Sequence, residues 1–136
     1  MTAQLLDTGP LFAYLSENDQ HHAWAIDVFS SIQQPLLTCE PVLTEAAYLV
    51  AHHGGDLEGL WAFLRRGVIR SGLRLDSEFE SIASLMRRYA SVPMDLADAC
   101  LVRMSELHRD CRVLTTDGDF TVYRRFGRQV IPVVAP

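Results

Sequence analysis

Short apolar runs that end in polar or acidic residues alternate along this chain with stretches in which apolar residues recur every three or four positions. Residues 3–6 read as a first short strand, with Asp7 at its end. Thr8-Gly-Pro10 opens a helix to about Leu15, with Thr8 as its cap and Pro10 near the first turn. A polar loop, 16–20, leads into a helix over 21–31 that places Ala23, Ile26, Val28 and Phe29 on or near its apolar side. Residues 35–38 form a second strand, and Cys39-Glu40-Pro41 starts a helix to about Val50. The run His52-His-Gly-Gly-Asp56 breaks the chain, and Asp56 caps a helix over 57–66. Residues 68–75 make a third, edge-like strand. Asp76-Ser77 then cap a helix to Tyr89 whose core side includes Phe79, Ile82, Leu85 and Met86. The stretch 91–98 starts a helix to about Leu107. Val113-Leu114 is too short a run for a helix and reads as a buried strand. A short helix or turn over 120–126 and a last strand over 129–134 complete the chain. Strands alternating with helices predict an α/β sandwich around a mostly parallel sheet.

Composition narrows the class. The length of 136 residues suits one domain with a real core, and 49% hydrophobic against 21% charged residues argues against disorder. No apolar run approaches the roughly 20 residues that span a bilayer, and no basic segment precedes an apolar one as in a signal peptide. Cys39, Cys100 and Cys111 are odd in number and scattered, which fits neither a disulfide framework nor a zinc site and points to a reducing, cytoplasmic setting. A net charge of −5 argues against coating nucleic acid by bulk charge, but not against an acidic site that handles one through metal ions. All 12 cationic side chains are Arg. That bias reflects either genome composition or the better bidentate grip of Arg on phosphate.

The chemistry gathers at Thr115-Thr-Asp-Gly-Asp119, where the 113–114 strand gives way to a loop. In an open parallel sheet, ligands sit beyond the carboxyl ends of the strands. Asp7 stands at the end of another strand. Glu45 shares a helix face with Val42 and Leu49, so it is held by a metal or an Arg, or turned to solvent. Asp95 has an adequate role as a helix cap, whereas Asp98 lies in a small, apolar stretch with less reason to be acidic. The adjacent pair His21-His22 points in different directions and chelates poorly, and His52-His53 reads as a helix end, where cations are favoured, rather than as a metal site. Asp7, Glu45, Asp98 and Asp117, flanked by Asp95 and Asp119, suggest an oxygen-rich site for Mg²⁺ or Mn²⁺, because such acids repel one another without a cation. That site suits in-line attack of water on a phosphodiester, with the metal lowering the water's pKa and offsetting charge on the phosphate.

Four short motifs, in order and nearly end to end, resemble those of the PIN domain family, most closely the VapC-type ribonuclease toxins. They are Leu5-Leu-Asp-Thr-Gly-Pro-Leu11, Val42-Leu-Thr-Glu-Ala46, Met94-Asp-Leu-Ala-Asp-Ala99 and Val113-Leu-Thr-Thr-Asp-Gly-Asp-Phe120. The resemblance implies one PIN-like domain over 1–136, an α/β/α sandwich with about four to five strands. It implies a Mg²⁺- or Mn²⁺-dependent endoribonuclease acting on single-stranded RNA, the toxin of a type II toxin–antitoxin pair, a homodimer held in check by a small cognate antitoxin. Asp7, Glu45, Asp98 and Asp117 take the catalytic positions, and Thr115 supports a carboxylate that holds metal. Asp119 could hold a second metal, and Asp95 could position Asp98. Arg124 and Arg125 read either as RNA-phosphate contacts or as solvated surface. Two other readings stand beside this one: a catalytically silent binding module of the same fold, and a Mg²⁺-dependent phosphatase on a related sheet.

Overall fold

Strand β1 (Ala3–Leu6) is the middle of a five-stranded sheet. In the computed structural model, which describes residues 1–136, the strand order is β3-β2-β1-β4-β7. The remaining sheet strands are β2 (Leu36–Thr38), β3 (Ile69–Ser71), β4 (Cys111–Leu114) and β7 (Val133–Val134), and every pairing is parallel. Helices α1 (Thr8–Leu15), α2 (His22–Ser31), α3 (Glu40–His53) and α4 (Leu57–Arg65) precede β3. Helices α5 (Leu75–Arg88) and α6 (Leu96–Leu107) lie between β3 and β4. The predicted α/β class and mostly parallel sheet are what the structure has.

A parallel sheet is covered on both faces, so its strands are apolar on both sides. Alternate side chains of β1 serve different cores. Leu5 packs with Val113, Val42, Ile82, Leu101 and Met104. Leu6 packs with Leu36, Leu114, Leu11, Val50 and Leu60. The three cysteines are buried and unpaired, and behave as small apolar fillers. No helix is long and apolar enough to cross a membrane.

Several expected boundaries shift for local reasons. Asp7, not Thr8, caps α1, because its Oδ1 accepts the Thr8 N–H at 2.8 Å. Helix α2 turns Ala25 and Phe29 inward, an i, i+4 pair, so Ala23 faces solvent and Ile26 is 41% exposed. Helix α3 runs past Val50 to His53 and stops where Gly54 takes a positive φ of 80°. Strand β3 is shorter than expected but does lie at the sheet edge. Helix α5 begins at Leu75 with Arg74 ahead of it, leaving Asp76 inside the first turn rather than at the cap. Ile82 and Leu85 are buried as expected, whereas Phe79 lines an open surface cavity and is 54% exposed. The expected last strand divides at Pro132, which has no N–H to give a ladder. Before it, β6 (Gln129–Val130) pairs antiparallel with β5 (Arg124–Arg125); after it, β7 joins β4.

The middle strand is where the sheet is most sensitive. Leu5→Ala opens a void in a fully buried site and is expected to cost about 2–5 kcal/mol, read as a lower urea midpoint at unchanged slope. An unshifted midpoint would contradict this account of the core.

Candidate metal centre

Strands β1 and β4 run side by side in register, Leu6 opposite Leu114. The Asp7 N–H donates to the Leu114 carbonyl at 3.0 Å, so the chain leaves both strands at the same edge of the sheet. That edge places Asp7 and Thr115 together. Thr115 Oγ1 donates to Asp7 Oδ2 at 2.6 Å, and the Asp117 N–H donates back to Thr115 Oγ1 at 2.9 Å. Asp117 then caps a short 3-10 turn, Gly118–Thr121, accepting the Asp119 N–H on Oδ1 at 2.9 Å. One hydroxyl therefore ties the loop after β4 to the acid after β1.

Helix α6 brings the third acid. Asp95 is its cap and accepts the Asp98 N–H at 2.8 Å. Asp98 occupies the first turn, buried, where the helix dipole favours negative charge. Its Oδ2 accepts the Tyr123 hydroxyl at 2.8 Å. Tyr123 is itself fully buried, held edge-on by Tyr89 and Phe120 at 5.2 Å each. The carboxylate oxygens of Asp7, Asp98 and Asp117 lie within 4.8 Å of one another.

Burial dominates the electrostatics of this group. It pushes Asp7 up to about 6, against the lowering effect of the Thr115 and Thr8 hydrogen bonds, with Asp117 and Glu45 adding repulsion. Burial also pushes Asp98 up to about 7, against the Tyr123 hydrogen bond, with Asp95, Asp7 and Asp117 repelling it. The Tyr123 hydroxyl is held protonated by its own burial and by the carboxylate it serves. Oxygen-only donors, two of them desolvated and all of one sign, fit a hard divalent cation.

Other residues singled out in the sequence take different places. Glu45 is exposed on α3, outside the three-carboxylate group, yet near enough to raise the Asp7 pKa. Of the ways to relieve its charge, the structure shows the turn to solvent. Asp119 is half-buried beside Asp117 and outside the same group. Asp95 is exposed, with its side chain spent on the helix cap. Arg124 donates to the carbonyls of Thr121, Val122 and Tyr123, and Arg125 to those of Ser105 and Arg109. Both guanidinium groups are thus engaged in the fold around the β5 turn. His22 bonds the Ala13 carbonyl and His52 that of Tyr48. Tyr123 escaped the sequence reading. It sits in an apolar turn 25 residues beyond the acid it contacts, and only its phenol, in a run otherwise suited to core, hinted at a polar partner.

Raised carboxylate pKa values make stability depend on pH. The unfolded chain ionises these acids as pH passes about 4. The folded chain keeps their protons until about 6 and 7. It therefore binds more protons, and stability present below pH 4 is lost as pH rises through that window. In EDTA, the thermal midpoint is expected to fall between pH 5 and pH 8. Asp98→Asn should flatten that dependence and stabilise the protein at pH 8 by about 1–3 kcal/mol; an equally steep curve would refute the electrostatic picture.

No curated protein sequence matches the chain. The model of the PIN domain family matches residues 5–125, a span that begins in β1, ends in β5 and contains all three clustered aspartates. This chain belongs to the PIN domain family.

Proposed function

We propose that the chain is a metal-dependent endoribonuclease that cuts single-stranded RNA, and that it serves as the toxin of a type II toxin–antitoxin pair. The observation that carries the nuclease reading is the Asp7–Asp98–Asp117 cluster, two of its members buried, in a PIN domain. PIN domains are generally metal-dependent nucleases. The toxin role rests on the likeness of the four motifs to VapC-type toxins, and brings with it a homodimer and a small antitoxin that covers the site.

Asp7, Asp98 and Asp117 would hold Mg²⁺ or Mn²⁺ as its carboxylate ligands. A bound ion of this kind lowers the pKa of water and offsets charge developing on a phosphate. The chain's own part is to fix the ligands. Thr115 pins Oδ2 of Asp7, and Tyr123 pins Oδ2 of Asp98. Each carboxylate is thereby left in one orientation, ready for a cation rather than reorganised by it. Glu45, exposed on α3 and near enough to raise the Asp7 pKa, would accept a hydrogen bond from the attacking water. Asp119 lies next to Asp117 as the acid available to a second ion.

The direct test is cleavage of an end-labelled mixed RNA pool with Mg²⁺, with Mn²⁺ and with EDTA. Discrete internal cuts are expected with either metal and none with EDTA. Asp98→Ala should lower the rate on the order of 100-fold or more, since losing a ligand costs at least as much as losing its outer partner. Release of phosphate from small monoesters without RNA cleavage would favour the phosphatase reading, and RNA binding without turnover the silent module. The support given by Tyr123 has its own measurement. Tyr123→Phe is expected to weaken Mn²⁺ binding about 10–100-fold in calorimetric titration, whereas unchanged affinity would leave the hydroxyl without this role.

A further inference from the structure

A second cavity, of about 640 Å³, opens between the start of α3, the segment linking β3 to α5, and the start of α6. Cavities of this size accept small organic groups. Its apolar wall comprises Pro41, Tyr48, Leu73, Leu75 and Leu96, and Glu40, Glu45 and Asp95 stand among its lining. No Arg is among the lining residues. A phosphate would meet only repulsion there, so the occupant must show an apolar face and hydrogen-bond donors.

Tyr48 gives the cavity a flat platform. Its ring is 58% exposed and lies against the His52 imidazole, with centroids 4.1 Å apart and planes 23° apart. Leu75 and Leu96 are 40% and 38% exposed beside it. Two of its lining residues connect the cavity to the acidic cluster. Asp95 lines it and holds the N–H of Asp98, and Glu45 lines it and is near enough to Asp7 to raise its pKa.

We propose that this cavity seats one unpaired base of the RNA, next to the phosphate that is cut, and so sets sequence preference. The proposal rests on the ribonuclease reading above. Tyr48 stacks on the face of the base, as aromatic platforms do for single strands. Leu75 and Leu96 close its edges, and the Glu40 carboxylate accepts its exocyclic amine, the pairing carboxylates make with cytosine N4. A base with an amino group is favoured over uracil at that position.

The test is sequencing of cut ends from a randomised single-stranded RNA pool, with KM measured on one good substrate. Wild-type cuts should be depleted of uracil at one position flanking the break. Tyr48→Ala should erase that depletion and raise KM about 5–100-fold, with kcat affected less. Tyr48→Phe should restore both, and Leu75→Gln should resemble Tyr48→Ala. Val130→Ser, on the β5–β6 hairpin and outside the cavity lining, serves as the surface control. Unchanged cut positions and KM in Tyr48→Ala and Leu75→Gln, beside an active wild type, overturn the base pocket alone. A dimer that becomes a monomer in Tyr48→Ala, by light scattering, assigns the face to a second copy of the chain and likewise overturns it. Wild-type protein that neither cuts nor binds the pool overturns the ribonuclease reading and the pocket with it.

Discussion

Asp7, Asp98 and Asp117 are like charges drawn together at an edge of the sheet where water is scarce. Left alone they repel, and two of them hold their protons toward neutral pH. The surrounding structure serves to keep them there. The register of β1 against β4 sets the distance between Asp7 and the loop that carries Asp117. The first turn of α6 presents Asp98 to the same place. Two hydroxyls, from Thr115 and Tyr123, compensate part of the burial. The arrangement costs the fold stability, the usual relation between strain at a site and its use.

The sheet that supports this edge is ordinary in its physics. Alternate residues of β1 feed two cores, one under α5 and α6 and one under α1 and α4. Because Leu5, Leu6, Val113 and Leu114 are all fully buried, the two strands bearing the acids have little freedom to slide. A one-residue slip would put core side chains and site side chains on the wrong faces. Packing in the middle of the sheet and alignment of the carboxylates are therefore the same constraint seen from two ends.

Much of this was legible in the residues. The short apolar runs marked β1, β2 and β4, because strands buried on both faces read as unbroken apolar stretches. Asp7 and Asp117 were visible as acids at strand ends, and Asp98 as an acid without a good alternative role. What could not be read were features set by tertiary contact. Phe79 has the spacing of a core residue, yet it sits exposed near the start of α5. Pro132 split a run that looked like one strand, because only the neighbouring chains decide which ladder each half joins. For Glu45, periodicity left a metal or Arg partner and a turn to solvent equally open, and only the packed helix shows that it lies in solvent. Tyr123 reaches Asp98 across a distance in sequence that no local pattern spans.

The pairing of Asp95 with Asp98 bears on how such chains diverge. Asp95 spends its side chain on the N–H of Asp98, and so begins the helix that delivers Asp98 to the cluster. Its presence is explained by helix architecture, independently of any chemistry on a phosphate. Selection on folding alone would preserve Asp95 in a descendant that had abandoned catalysis, whereas Asp98, which burdens the fold unless a cation is wanted, would be free to drift toward a neutral residue. Of two acids three positions apart, only the second records whether a lineage still uses its site.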